Sequence, residues 1–286
     1  AAVKVGDKWG YIDKSGKYIV NLQFDGASSF SDNGLAAVKS GSKWGYIDRN
    51  GKLVITPQFS SADKFKDDLA IVHTSAGYGY IDKNGKYIIN PQFSSASAFT
   101  ENGLARVSIG NSYGYINKKG SYVINPQFDD ALPFGSNDLA AVEKNGKWGF
   151  IDKNGNFKIE AQFHSAENFS NGLARVNSDH QLGYIDSNGK FVINPQFGSA
   201  TSFTNNGRAL VEADGKYGII DKKGAYIVNP IYLLTIGFFA DNYVIVVDEN
   251  EKYGVIDSNG KVIVPPSYSI DVDLVNWYAA IYNYAS

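Results

Sequence analysis

Cysteine and methionine are both absent from this 286-residue chain, and histidine occurs only at His73, His164 and His180. Without cysteine there are no disulfides, no thiolate metal sites and no cysteine nucleophile. The histidines fall in three different sequence contexts with no metal-ligand spacing between them, so neither a zinc-type cluster nor a catalytic triad can be assembled from spacing. The chain also lacks a Gly-x-Ser-x-Gly elbow and a phosphate-binding glycine-rich loop. No run approaches the roughly 18 apolar residues that carry a helix across a bilayer. Neither sign of charge dominates: 27 Lys and Arg face 29 Asp and Glu, for a formal net charge of -2. That balance supplies no field to hold a nucleic-acid backbone. The expectation is therefore a protein with no cofactor, no metal, no nucleic-acid partner and no enzymatic role. Methionine is missing even at position 1, where Ala1 stands; a removed leader or a fragment accounts for that, and an exported protein fits both absences.

What the chain does contain is one motif, returning along nearly its whole length. Lys43-Trp44-Gly45-Tyr46-Ile47-Asp48 is followed at once by Arg49-Asn50-Gly51-Lys52. Related copies are headed by Trp9, Trp44, Tyr78, Tyr113, Trp148, Leu182, Tyr217 and Tyr253, spaced 34 to 36 residues apart. Regular self-similarity of this kind is the signature of a repeat architecture. With no composition break, residues 1–286 read as a single array of eight units.

Each unit divides into four segments. In the second unit, Leu35 to Lys39 is short and rich in small residues; Lys43 to Asp48 alternates, with Trp44 and Tyr46 on one face and Gly45 and Ile47 on the other. Lys52 to Thr56 is β-branched and apolar, and Pro57, lacking an N–H, is expected to end the ladder. Ser60 to Phe65 carries a recurrent Ala and Phe. Asn-Gly pairs such as Asn50-Gly51 and Asn259-Gly260 mark hairpins whose central residues both accept positive φ. The fold class is therefore all-β: eight tandem antiparallel meanders of about 35 residues, arranged as a propeller-like array or, alternatively, as an open solenoid.

The motif resembles the bacterial WG-repeat (KWG-repeat) family. Gly34-Leu35-Ala36-Ala37-Val38, Lys43 to Asp48, and Gly51-Lys52-Leu53-Val54-Ile55-Thr56-Pro57-Gln58-Phe59 carry each part of the family's unit. The resemblance implies a β-rich protein, exported or surface-associated (extracellular, cell-surface or periplasmic), with no established enzymatic chemistry. The functional expectation is a noncatalytic binding or scaffold module for a protein ligand. The alternatives are a carbohydrate or cell-wall glycan ligand, and an enzyme with an active site in loops at one rim.

Candidate contact residues come from positions that vary while their surroundings repeat. Lys39, His73, Glu143 and Glu212 occupy one such position after the first segment, together with Lys4, Ser108, Asn177 and Asp248, so that cations precede anions along the array. Arg106 and Arg175 replace apolar residues nearby and hint at a surface facing a groove. The motif-head aromatics are expected to be core, buried between neighbouring sheets. Asp-x-Asn-Gly stretches could open a calcium loop, but Lys52 or Lys261 follows directly and no bidentate Glu is in place, so each Asp is expected to accept backbone N–H groups of its own turn. The last stretch, 271–286, is an atypical cap whose Trp277, Tyr278, Tyr282 and Tyr284 are candidates for an oligomer contact. An extra first segment, Tyr278 to Ile281, offers a strand for self-association.

Overall fold

In the computed structural model, which describes residues 1–239 and 242–269, all regular structure is β. Eight small antiparallel sheets succeed one another along the chain. The first consists of β1 (Ala2–Val5), β2 (Lys8–Ile12) and β3 (Tyr18–Phe24). The second shows the four-stranded form that recurs: β4 (Gly26–Ala27), β5 (Ala36–Ser40), β6 (Lys43–Ile47) and β7 (Leu53–Phe59), hydrogen-bonded in that order. The chain divides into two compact units, one of residues 1–145 with 152–156, the other of 146–151 with 157 onward. The cap residues Trp277, Tyr278, Tyr282 and Tyr284, and the extra strand expected at Tyr278 to Ile281, lie outside the described residues.

The phase of the repeat differs from the expected one. The fourth segment does not close its own meander. Its two-residue strand β8 (Ser61–Ala62) pairs instead with β9 (Ala70–Thr74), the first segment of the next repeat, through Ser61↔His73 and Ala62↔Val72. A single residue, Ser60, separates β7 from β8, so each repeat hands the chain to its neighbour without a long crossover. The small residues of the first segment consequently sit in the second strand of a sheet. There they are covered on both sides: Ala36, Ala37 and Val38 are all buried.

Proline does not end the ladder either. β7 runs through Pro57 to Phe59, because the β6–β7 register slips twice: Trp44 faces Phe59 and Tyr46 faces Ile55, while Ile47 faces Leu53. The first slip sets Thr56, Pro57 and Gln58 against Gly45 alone, a bulge in which a missing N–H breaks no bond. The bulge folds tightly over the glycine. A Cβ on Gly45 would lie 2.4 Å from the Ile55 carbonyl oxygen and 2.6 Å from Pro57 N, so the glycine of the Trp-Gly pair is fixed by this close approach.

The turn between β6 and β7 is also of a different type from the expected one. Gly51 has φ 81°, whereas Asn50 is absent from the positive-φ residues. Gly51 N–H donates to Asp48 O at 3.0 Å and Asp48 N–H to Lys52 O at 2.9 Å. That is a three-residue loop ending in a left-handed glycine, which Asn-Gly suits as well as it suits the two-residue kind.

Core forms between consecutive sheets. Ala37, Tyr46, Ile55 and Phe59 of the second sheet meet Ala70, Val72 and Ile81 of the third. Tyr11, Val20 and Phe24 meet Ala36, Val38 and Ile47 in the same way one step earlier. In the second unit, Tyr184, Ile193 and Phe197 meet Ala209, Val211 and Ile220. Central strands of these sheets alternate between two neighbours, as their period of two requires, so these cores lie between repeats.

Candidate interaction surface

The second aromatic of the motif is the residue most committed to the interior. Tyr46 is fully buried, and its hydroxyl donates to the Asp63 carbonyl at 2.7 Å. Tyr11 to Ser28, Tyr80 to Ser97, Tyr115 to Leu132 and Tyr184 to Thr201 repeat the bond, each spanning 17 residues. The recurrent Phe of the fourth segment lies against the same ring, with centroids 4.9 Å apart for Tyr46 and Phe65. Burial pushes the Tyr11 hydroxyl up to about 12 and raises those of Tyr46, Tyr80, Tyr115 and Tyr184 as well. These tyrosines are neutral donors that tie a loop to a sheet.

The motif heads are less enclosed than expected. Trp9, Trp44, Tyr78 and Leu182 are half-buried and pack on the margins of the inter-sheet cores. They share a face with the buried tyrosines but lie one step nearer the end of the sheet. The variable position stands directly across from them: Lys39↔Trp44, His73↔Tyr78, Ser108↔Tyr113, Asn177↔Leu182 and Glu212↔Tyr217. Lys39, His73, Glu143 and Glu212 are half-buried at the same register of separate sheets. His73 rests on the Tyr78 ring, centroids 4.4 Å apart. Glu143 faces Asp130 on the adjoining strand, and Glu212 accepts the Gly215 N–H at 2.6 Å. Much of this row is thus engaged with its own sheet.

Arg106 and Arg175 each reach across the layer between sheets. Arg106 Nη1 donates to the Ala131 carbonyl at 2.7 Å, and its guanidinium lies 5.2 Å from the centre of the Tyr113 ring. Arg175 bonds the Ala200 carbonyl and the Glu167 carboxylate, whose other oxygen accepts from Ser202 Oγ at 2.6 Å. Both bridge 25 residues to the short strand of the following sheet. An arginine reaches that carbonyl where Ala37 and Ile71 only fill space.

The surface left free lies at the outer strands, a part of the molecule that the repeat pattern alone did not single out. β3 and β7 are the last strands of their sheets, and the two bulges lift their first residues out of the core. Tyr18, Ile19, Leu53, Val54, Tyr87, Ile88, Tyr122 and Val123 keep between 36% and 46% of their surface exposed across four sheets of the first unit. Tyr87 meets Phe59 of the preceding sheet edge-on at 6.3 Å, and Tyr122 meets Phe93 at 6.4 Å. Phe191 does the same with Phe163 in the second unit, at 6.2 Å. A row of apolar residues on an edge was detectable in principle from the apolar third segment, had its bulges been legible.

Cations adjoin this row. Each outer strand begins at a turn whose Asp is bonded locally: Asp48 Oδ1 accepts the N–H groups of Asn50 and Lys52 at 2.9 and 3.0 Å, and Asp82, Asp152, Asp186 and Asp257 do likewise. Each such Asp thus accepts backbone N–H groups of its own turn, as expected. Exposed Lys14, Lys17, Arg49, Lys52, Lys83 and Lys86 surround these turns in the first unit. The turns form a line, since Gly51 packs on Val20, Gly85 on Ile55 and Gly120 on Ile89.

The remaining histidines make no such surface. His164 and His180 stack with centroids 5.0 Å apart, with Lys147 Nζ 3.3 Å from His164 Nε2. Among the described residues no group of three or more His, Asp or Glu could hold a metal ion, and no helix is long and apolar enough to cross a membrane.

The solved structures that the chain resembles share its fold at low identity. A eukaryotic initiation factor aligns with a TM-score of 0.62 at 12% identity, over 92% of this chain and 83% of that one. Hsv2p of Kluyveromyces lactis gives 0.46 at 9%, over 80% and 91%, and the C-terminal WD40 domain of Sif2 gives 0.42 at 13%, over 85% and 84%. The fold is all-β and propeller-like. None of the curated proteins matches the chain in sequence. The model of the WG containing repeat matches eight times, at residues 9–44, 44–73, 78–112, 113–148, 148–179, 183–217, 217–253 and 253–269. Covering almost the whole length with the same motifs that organise the sheets, it establishes that the chain belongs to the WG-repeat family.

Proposed function

We propose that this protein is a noncatalytic binding or scaffold module that acts outside the cell, at a bacterial surface, and engages a protein or glycan ligand through its outer strands. One observation carries the reading. The motif's second aromatic, as at Tyr46, faces inward and is bonded to its own fold, whereas a repeated band of exposed apolar residues and lysines is presented, sheet after sheet, by the edge strands. The exported bacterial setting rests on the family resemblance.

The test is saturable retention of the purified protein on isolated bacterial envelopes. Retention that falls when Lys17, Lys52 and Lys86 are changed together, and survives change of Lys39 and His73, supports the reading. Absence of saturable retention contradicts it, as does a turnover abolished by substituting one carboxylate or histidine. Pretreating the envelopes with protease or with a glycan-degrading enzyme separates the two ligand classes.

A further inference from the structure

We infer that the ligand of the outer band is a linear anionic polysaccharide, lying across the outer strands of the first unit with its acid groups on the turn lysines and its ring faces on the exposed tyrosines. This deepens the binding-module reading and rests on it.

Two observations converge on that chemistry. Lysine and ring alternate in the chain itself: Lys17 precedes Tyr18 and Lys86 precedes Tyr87, with Lys52 before Leu53 between them. The rings are held in place before any ligand arrives. Tyr87 and Tyr122 each stand edge-on against a buried Phe of the preceding sheet, which fixes their planes and leaves the rest of the ring exposed. A flat, pre-oriented ring with a polar tip loses little freedom when a sugar face stacks on it. The lysines are equally available. Lys17, Lys52 and Lys86 are exposed and have no ion-pair partner among the described residues.

Charge density selects the polymer. The turns at Asp13, Asp48 and Asp82 carry a carboxylate beside their cations, and neighbouring loops bring further acids, with Asp67 3.6 Å from Lys118 and Asp138 2.9 Å from Lys153. A surface of mixed sign offers too few cations to match a densely charged duplex, whose phosphates fall about every 1.7 Å. It accepts a sparse polyanion whose acids recur at the sheet spacing of about 10 Å. Carboxylated sugars with uncharged rings between the acids have that pattern. Long runs of phosphate do not.

The test uses the full chain and defined polymers: hyaluronate and unsulfated chondroitin fragments, neutral cello-oligosaccharides, and a single-stranded DNA. Two triple variants are compared with the parent. Lys17→Asn, Lys52→Asn and Lys86→Asn remove the charges, with Asn156 as precedent at the same position. Tyr18→Leu, Tyr87→Leu and Tyr122→Leu remove the rings, with Leu53 as precedent. The inference expects at least one acidic polysaccharide to bind, in a salt-sensitive manner, and each triple variant to bind about tenfold more weakly. If a triple variant melts early, Lys52→Asn and Tyr18→Leu are compared singly at a temperature where both are folded. Failure of both acidic polymers to bind overturns the inference, as does unchanged affinity in the ring variant, or DNA binding as tight as that of the polysaccharides. Envelope retention that is abolished by protease would leave the binding module standing while removing its glycan ligand.

Discussion

The hydroxyl of Tyr46 donates to the carbonyl of Asp63 at 2.7 Å, across 17 residues and from the middle of one sheet to the loop that follows the first strand of the next. This bond joins the two levels of the fold. The tyrosine fills the space between sheets, and its polar tip fixes the segment from which the neighbouring sheet starts. Full burial of such a ring contributes roughly 1.5–3 kcal/mol, and the hydroxyl is satisfied at its far end.

Tyr46→Phe should lower stability by about 1 kcal/mol, since the ring remains and a carbonyl loses its donor. Tyr46→Ala should lower it by about 3–5 kcal/mol through the cavity that it leaves. Urea unfolding of the two variants beside the parent checks both. Equal losses would mean that the hydrogen bond, and not the packing, holds the loop.

Gly45→Ala should be among the most damaging small substitutions. The added Cβ would meet backbone at 2.4 Å, and backbone in a bulge cannot yield as a side-chain tip can, so a cost of about 3 kcal/mol or more is expected. Gly41→Ala is the control: a Cβ there has nothing within 4 Å and only the φ of 59° to strain, worth about 1 kcal/mol. Similar losses at the two positions would remove the bulge from the account.

Asp48→Ala should cost about 1 kcal/mol by releasing two backbone N–H groups, and Asp48→Asn much less. Asn117 already serves this way, accepting from Lys119 and Ser121. A chelator should leave the melting temperature unchanged. A fall reversed by calcium would show that the turns bind metal.

Alkali should unfold the protein through its buried tyrosines. Their hydroxyls ionise at higher pH in the folded chain than the ordinary 10.0, with Tyr11 pushed up to about 12. A raised value means that the neutral form is favoured by folding. The stability contributed is therefore complete below pH 10 and is lost as the pH climbs from there through the folded value. Tyrosinate absorbance should rise late and together with loss of β-structure; early titration of every tyrosine with the fold intact would contradict the burial.

Much of the fold was legible because period, alternation and turn chemistry are local. The motif predicted the strand from Lys43 to Asp48, observed one residue shorter at Lys43–Ile47, the hairpin after it and the bonding of Asp48 within its turn, all of which depend on residues within a few positions. The phase of the sheets was not local. Whether Ser61 and Ala62 join the sheet before or after them depends on where Phe59 ends, and that depends on two bulges that no alternation pattern displays. The same bulges explain why Pro57 lies inside a strand and why Leu53 and Val54, apolar in sequence, are exposed.

Trp44 and Tyr46 share a face, so alternation could not tell which is fully buried; distance from the end of the sheet decides it. For Arg106 and Arg175, a polar residue in an apolar column pointed to an open groove. The actual partners are carbonyls 25 residues away that only the packed array brings within reach. Of the candidate contact surface, the row of Lys39, His73, Glu143 and Glu212 was legible as variation, and the outer band was not.

The division of labour between inward motif residues and the outer band is tested most directly by measuring unfolding free energy and envelope retention together on Tyr46→Phe and Tyr18→Leu. Tyr46→Phe should lose about 1 kcal/mol of stability with retention unchanged. Tyr18→Leu should hold its stability to within about 0.5 kcal/mol while its retention weakens. Weakened retention in Tyr46→Phe, with Tyr18→Leu indistinguishable from the parent, would contradict the account.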